Sequence, residues 1–427
     1  MSLASHHPET PAADASKLLM RLGLAILMVA LPCAGVVTHG AIYVMMPVGA
    51  ILILIGAAVG APDHGPRHLG AALVSQAGAA ALFLAFWSGL SLVWTPFQAE
   101  AILRFVQIVA TTFLVALVAA YLPARTRAFD LHLLPVGVAL SAVATLFLAL
   151  RGADWFLGAS EFDDSLFGRS MITSIVLVWP ALGALSLSDR WIAAAALAML
   201  TAAVALAGFA RFGLAAMGIA AFVFALAMSH PARMARALGW ASACLIFFAP
   251  ALPLIYRPLV SLTGHPVGPT AESMLVWADL ITSEWPRLIT GHGFDAANRG
   301  LSLGYLPEFT PRSILFVIWY DLGVIGAAAA AFLMASIFTL AGRLPPIAAP
   351  SVLAGLVAIL TLSVFGVAAA QIWWVTLIDC AIIAFIILIK GIYRTQRPPA
   401  PTQEELLDLR IEDLNVADVN AAPVRTV

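Results

Sequence analysis

The chain has 427 residues, of which 62% are hydrophobic and only 11% are charged. Soluble globular chains are about 45–50% apolar and about 25% charged, so this composition excludes a soluble enzyme, a nucleic-acid-binding domain and a disordered protein. The 22 Lys and Arg residues nearly balance the 23 Asp and Glu residues, for a net charge of −1. A polytopic membrane protein is the class that remains.

Apolar stretches, each close to the length of a membrane span, follow one another along the chain. A span needs about 20 mostly apolar residues. The sequence therefore predicts an all-α, polytopic bundle of about twelve transmembrane helices. Their predicted positions are 22–37, 41–60, 70–94, 99–121, 131–150, 168–187, 191–210, 212–229, 237–256, 312–341, 346–366 and 369–390.

Lysine and arginine in the short loops set the predicted orientation, because basic residues are enriched in cytoplasmic loops. Placing both termini in the cytoplasm puts several arginines in inner loops, whereas the outer connections near His39, Pro96 and Val367 hold none. The inner-loop arginines are Arg67, Arg125, Arg127, Arg190, Arg233, Arg236 and Arg343.

This orientation divides the chain into five segments. Residues 1–21 form a cytoplasmic tail, 22–256 hold the first nine spans, and 257–311 form one large periplasmic loop. Residues 312–390 hold the last three spans, and 391–427 form a Pro-rich and acidic cytoplasmic tail that is predicted to be disordered.

The large loop contains one amphipathic stretch. Met274, Trp277, Ala278, Ile281 and Trp285 recur at helical spacing. This pattern predicts a short helix that lies at the membrane interface or caps the bundle, and the two placements are compatible.

Eight of the 22 basic residues fall at or near the predicted outer face, against the usual bias. A guanidinium group matches phosphate oxygens in a bidentate way. An outer arginine cluster beside a large loop therefore indicates an anionic lipid headgroup, such as a polyprenyl diphosphate. These residues are Arg104, Arg151, Arg169, Arg211, Arg257, Arg287, Arg299 and Arg312.

Two of these arginines have competing interpretations. Arg104 follows Glu100 by four residues, so a local ion pair competes with a ligand contact. Arg211 interrupts about 39 apolar residues without an acid nearby, which favours a functional role over snorkelling to the interface.

Four short motifs follow one another along the chain in an order that matches a known family. Residues 87–96 read WSGLSLVWTP, 210–213 read ARFG, 276–299 read VWADLITSEWPRLITGHGFDAANR, and 319–326 read WYDLGVIG. Together they resemble the O-antigen ligase and Wzy-type polysaccharide polymerase superfamily of bacterial inner membranes. The likeness covers roughly residues 80 to 335.

The resemblance implies a GT-C-like, inverting and metal-independent glycosyltransferase that needs no cofactor. It would transfer an undecaprenyl-diphosphate-linked oligosaccharide to an acceptor glycan at the periplasmic face of the inner membrane. Membrane lipids and other polysaccharide-assembly proteins are the further partners implied, and nucleic acid is not. Arg211 and Arg299 match motif positions and are assigned to the diphosphate, and Arg169 and Arg312 are added by position. Asp295 and Glu284 are the candidate catalytic carboxylates.

The chain departs from the pattern of the ligases. Their His-Pro-His-Asn stretch corresponds to residues 310–313, which read TPRS, so Arg312 replaces the histidine associated with ligase activity. This departure favours a polysaccharide polymerase. A ligase-type transferase to lipid A core or another acceptor is the alternative. A transporter or flippase of lipid-linked glycan is a further alternative, although the sequence has no internal repeat.

Overall fold

The computed structural model describes residues 11–38, 40–60, 65–122, 132–151, 164–207, 211–263, 269–366 and 371–392. Within these ranges every regular element is a helix. One π-helical stretch, Ile26–Ala30, separates α1 from α2. The α-helices are α1 (Pro11–Ala25), α2 (Leu31–Ala34), α3 (Ala41–Gly60), α4 (Gly65–Val74), α5 (Gln76–Ser91), α6 (Gln98–Tyr121), α7 (Leu133–Arg151), α8 (Asp164–Leu187), α9 (Trp191–Ala207), α10 (Arg211–Ser229), α11 (Pro231–Phe247), α12 (Ala251–Thr263), α13 (Pro269–Ser283), α14 (Arg287–Thr290), α15 (Ala296–Ser302), α16 (Ile314–Ala341), α17 (Ala349–Val364) and α18 (Ile372–Ile392).

The protein is an all-α bundle with the helices of a multi-pass membrane protein. Among the described residues, eight helical segments are long and apolar enough to cross a membrane. The pairs α4–α5 and α11–α12, bent by 73° and 65°, raise this number to ten if each pair forms one span. Helices α9 and α17 are apolar but shorter. The predicted fold class is therefore confirmed, whereas the count of twelve spans is not.

The first span begins earlier than predicted. The apolar helical segment runs over Asp14–Ala34, whereas the sequence placed its start at residue 22. Lys17 and Arg21 lower the mean hydropathy of residues 14–21, so the hydropathy pattern did not include this stretch in the span. Ser16 lies inside the packed region, where its Oγ donates a 2.6 Å hydrogen bond to the carbonyl oxygen of Gly56. The predicted tail at 391–427 falls almost entirely outside the described residues.

Helix α8 lies at the centre of the bundle, because 94% of its apolar window is buried. It packs against α7, α9, α17 and α18. A buried hydroxyl costs free energy unless it is hydrogen-bonded. On this helix Ser170 shares a 2.5 Å hydrogen bond with Thr145, and Ser186 donates to the carbonyl of Gly183. These two hydroxyl groups of the central helix are therefore both buried and hydrogen-bonded.

The amphipathic stretch of the large loop forms α13. Trp277, Ala278 and Ile281 are buried, and the ring of Trp277 packs edge-on against Phe316 of α16 with 5.6 Å between centroids. The apolar face thus caps the bundle. Trp285 lies beyond the end of the helix at Ser283 and is 67% exposed.

Helix α16 is interrupted inside the bundle at Gly323, which has φ 64° and ψ −163°. The interruption removes the helical donors of the carbonyls just before it. Three donors from elsewhere replace them: His292 N donates to Tyr320 O at 2.8 Å, Gly293 N to Asp321 O at 2.9 Å, and Trp87 Nε1 to Leu322 O at 2.9 Å. The break therefore ties α5 and the large loop to α16.

Replacing Gly323 with alanine is expected to destabilise the protein. A Cβ at this position would lie 2.4 Å from the carbonyl oxygen of Ile289, and the left-handed backbone is strained for any side chain. We expect a loss of roughly 2 kcal/mol or more in the free energy of unfolding. Thermal unfolding of the purified protein in detergent measures it.

Gly218→Ala is the matched control. A Cβ at Gly218, in the regular helix α10, would meet no atom within 4 Å. Alanine there should leave the free energy of unfolding unchanged or raise it by about 0.5 kcal/mol, and the melting temperature should be unchanged or slightly higher. Equal melting temperatures for the two variants would contradict a structural role for the break.

Candidate functional site

The turn of residues 291–295 has a backbone that only glycine permits at two places. Gly291 has φ 73° and Gly293 has φ 101°. A Cβ on Gly291 would lie 2.2 Å from the carbonyl oxygen of Asp321, and one on Gly293 would lie 2.6 Å from Cα of Thr95. The glycines of the GHGFDAANR motif therefore allow the turn to lie directly against α16 and the segment that follows α5.

The WSGLSLVWTP motif holds the turn from the other side. Phe294 N donates to Ser91 Oγ at 3.0 Å, and Thr95 Oγ1 donates to Phe294 O at 3.0 Å. Both backbone groups of Phe294 are thus satisfied by hydroxyl groups of this one segment. Together with the bond from Trp87, these contacts bring three of the four motifs into one structure.

Asp321 completes the attachment with its side chain. Its carboxylate accepts hydrogen bonds from the N–H groups of Asp295 at 3.0 Å and Ala297 at 2.7 Å. These N–H groups lie at the start of α15, where a helix leaves donors without internal partners and favours negative charge. The buried acid of the WYDLGVIG motif therefore fixes the helix that carries Arg299.

The carboxylate of Asp295 lies next to two arginine side chains, those of Arg104 and Arg299. The Asp295 side chain is 2% exposed, and its Oδ1 accepts a 2.5 Å charged hydrogen bond from Nη1 of Arg104. Asn298 Nδ2 donates to the same oxygen at 3.2 Å. Arg299 Nε faces Oδ2 at 3.6 Å, beyond hydrogen-bonding distance. Arg104 is therefore locked in place, whereas Arg299, 36% exposed against 18% for Arg104, is the freer of the two.

The local ion pair considered for Arg104 is not the one that forms. Arg104 pairs with Asp295, 191 residues away, and Glu100 is exposed. The two carboxylates differ in burial. Asp295 is buried and needs a compensating cation, whereas Glu100 is exposed and does not.

Both arginines face a cleft of about 500 Å³. We call it the arginine cleft, and it is lined by Tyr43, Arg104, Gln107, Asn298, Arg299, Ser302, Gln371 and Ile372. Tyr43 and Ile372 lie in the first turns of α3 and α18, and Arg104 lies in the second turn of α6, so the cleft opens at one end of the bundle. Its two charged residues are both cations.

The predicted diphosphate ligands Arg169 and Arg312 are not among the residues that line the cleft. The guanidinium of Arg169 stacks over the ring of Trp373, 5.4 Å from its centroid, and Trp373 Nε1 donates to the cleft residue Gln371 at 2.6 Å. Arg312 is exposed, with its backbone against Gly366. Arg211 is the first residue of α10, and its side chain lies outside the described part of the structure.

Glu284 lies apart from the arginine cleft. Its Oε2 is 2.6 Å from Nε2 of His292, whose Nδ1 lies 3.1 Å from the carbonyl oxygen of Tyr320. The imidazole also stacks on the ring of Tyr320 at 3.9 Å. These residues border a separate surface depression, which is lined also by Trp277, Leu288 and Trp319.

Sequence reasoning missed the uncharged residues of the cleft. Gln107 lies within the predicted span 99–121 and Gln371 near the start of the predicted span 369–390, and only the fold brings them together. The signal for Asp321 was present, because an acid inside an apolar span is costly and usually has a specific role. Asp379 carries the same signal: it is 2% exposed, its Oδ2 has no hydrogen-bond partner, and it lies two helical turns beyond Ile372.

The arrangement can bind an anion. Two guanidinium groups and one carboxylate give the cluster a net positive charge, and arginine remains charged at any physiological pH. In the described ranges, no three His, Cys, Asp or Glu side chains come close enough to hold a metal ion. The site therefore offers permanent positive charge, placed by a rigid turn, to an anionic group that enters the cleft.

No protein-family profile matches the chain, and no curated protein matches it significantly. The resemblance drawn from the four motifs thus stays a prediction.

Asp295→Asn is expected to destabilise the protein strongly. Removing the charge leaves Arg104, which is only 18% exposed, without its counter-ion, and the lost charged hydrogen bond costs about 1.5–3 kcal/mol. The control is Asp279→Asn, because Asp279 pairs with Arg257 at 3.2 Å while its side chain is 67% exposed. An exposed pair contributes less than about 1 kcal/mol. Thermal unfolding of both variants measures the difference, and similar melting temperatures would show that Asp295 does not hold the cluster.

Proposed function

We propose that the protein is a membrane glycosyltransferase of the polysaccharide-polymerase type. In this proposal the arginine cleft binds the diphosphate of an undecaprenyl-diphosphate-linked oligosaccharide, and the glycan is transferred to an acceptor glycan at the periplasmic face of a bacterial inner membrane. The observation that carries it is the convergence of Arg104 and Arg299 on one buried carboxylate beside the cleft.

The charges suit the leaving group of such a reaction. When the bond between the sugar and the diphosphate breaks, negative charge develops on the diphosphate oxygens. Cations that are already in place stabilise this charge without reorganisation. Arg299 is the more exposed arginine and is assigned to direct contact with the diphosphate, while Arg104 supplies charge from a fixed position.

Asp295 is assigned to positioning rather than to proton transfer. Its Oδ1 accepts hydrogen bonds from Arg104 and Asn298, and these contacts hold α6 and α15 together beside the cleft. Glu284 is 44% exposed and bonded to His292, outside the cleft. Because a diphosphate is a good leaving group, the acceptor hydroxyl can lose its proton late, and the proposal does not require a strong base in the cleft.

Deletion of the gene, followed by analysis of the surface glycan, tests the proposed function. Loss of long chains with single repeat units retained is the result expected for a polymerase. Intact polymer that accumulates on its lipid carrier would instead identify a ligase-type transferase. A surface glycan of unchanged length and amount would contradict both.

Arg299→Lys is expected to reduce activity at least about tenfold while the protein folds normally. Lysine keeps the charge but lacks the planar fork that holds two phosphate oxygens. The measurement is glycan chain length in cells, together with the amount of protein in the membrane.

Arg257→Lys is the control for that experiment. Arg257 lies on α12 in an exposed pair with Asp279, and it is not among the residues that line the arginine cleft. The Arg257→Lys variant should leave the length of the glycan chains unchanged. Glycan chains of normal length in Arg299→Lys, or an equal loss of chain length in both variants, would argue against a diphosphate at Arg299.

A further inference from the structure

Two aromatic side chains lie together beside the arginine cleft. The rings of Phe97 and Tyr305 have centroids 5.9 Å apart and planes inclined by 40°. Tyr305 is 76% exposed, although a tyrosine ring gains free energy by leaving water. The contact with the half-buried Phe97 distinguishes Tyr305 from most of the other exposed apolar side chains of the bundle.

The exposed ring does not belong to a loose loop. Tyr305 N donates to the carbonyl oxygen of Gly300 at 2.8 Å, and Leu306 N donates to the same oxygen at 3.1 Å. Leu306 is itself buried, and Gly304 provides the positive φ of 76° that the turn requires. The turn is thus attached to α15, the helix that carries Arg299.

Both rings are placed in register with the cleft. Phe97 immediately precedes α6 and lies seven residues before Arg104, which is two helical turns, or about 10 Å, along the same face. Ser302, three residues before Tyr305, lines the cleft. A chain that is attached to an anion at Arg104 and Arg299 and leaves the cleft past Ser302 and the start of α6 would meet this pair.

We propose that Phe97 and Tyr305 form a stacking subsite for a pyranose ring of the glycan that the lipid diphosphate carries. This subsite rests on the proposed function. One face of a pyranose ring presents C–H groups, and the negative face of an aromatic ring attracts them. The exposed Tyr305 ring supplies the flat face, and Phe97 holds it from one side.

An anchor at the membrane interface is the competing explanation, because tyrosine is enriched there. The two roles need different chemistry. An anchor needs apolar volume, which leucine also supplies, whereas stacking needs a flat aromatic ring. Tyr305→Leu therefore separates them, and Tyr305→Phe retains both.

The experiment measures binding of two probes to the full-length protein in lipid nanodiscs by calorimetry. One probe is farnesyl diphosphate, and the other is farnesyl diphosphate linked to a disaccharide of N-acetylglucosamine. Wild-type protein is expected to bind the glycosylated probe more tightly. Tyr305→Phe should keep this preference. Tyr305→Leu should weaken binding of the glycosylated probe about fivefold and leave the sugar-free probe unchanged.

Leu303→Ala is the matched control, because Leu303 is 58% exposed on the same turn but is not part of the ring pair. It should bind both probes like the wild type. Tyr305→Leu that retains the full preference, or weakens both probes equally, would overturn the subsite while the diphosphate site stands. A wild-type protein that binds both probes equally would overturn it too. Failure to bind farnesyl diphosphate at all would contradict the proposed function, and the subsite with it.

Discussion

The break at Gly323 leaves three carbonyls of α16 without helical donors in the interior of an apolar bundle, where each must be satisfied by another group. The donors come from Trp87 and from the turn at His292 and Gly293. The position of the turn is therefore set by an obligatory set of hydrogen bonds. A loop held only by surface contacts would sample many positions and would not hold two arginines beside one carboxylate.

Asp321 connects the hydrogen bonds at the helix break to the charged residues of the cleft. Its carbonyl accepts from Gly293, and its carboxylate accepts from the first N–H groups of α15. One residue thus fixes both the turn and the helix that follows it. An acid inside an apolar span is costly, and the two N–H donors compensate part of that cost. The cleft then follows, because Asp295 at the start of α15 meets Arg104 on α6.

Much of this architecture could be predicted from the sequence, because hydropathy reports directly on membrane spans. The amphipathic spacing of Trp277 and Ile281 predicted α13, and both residues are buried. The glycines at 291 and 293 and the arginine at 299 were identified from their motif, although a motif does not say which surfaces it joins. Arg299 is the predicted diphosphate ligand that the structure brings directly to the cleft.

The remainder depends on contacts between residues far apart in the chain. The partner of Arg104 could not be found locally, because the partner that forms is 191 residues away. Gln107 and Gln371 are unremarkable as single polar residues, and their meaning comes from a shared cleft. Trp285 follows the apolar spacing but lies past the end of α13, so it is exposed. Periodicity describes the face of a helix and does not determine where the helix ends.

The central claim is that the turn attached at Gly323 presents Arg104 and Arg299 to a diphosphate. An electron cryo-microscopy structure of the protein in nanodiscs with farnesyl diphosphate tests it most directly. The account predicts density for the diphosphate in the arginine cleft, within hydrogen-bonding distance of the Arg299 guanidinium, with the turn at residues 291–295 unchanged. Density for the diphosphate at another site, with the arginine cleft empty, would contradict it.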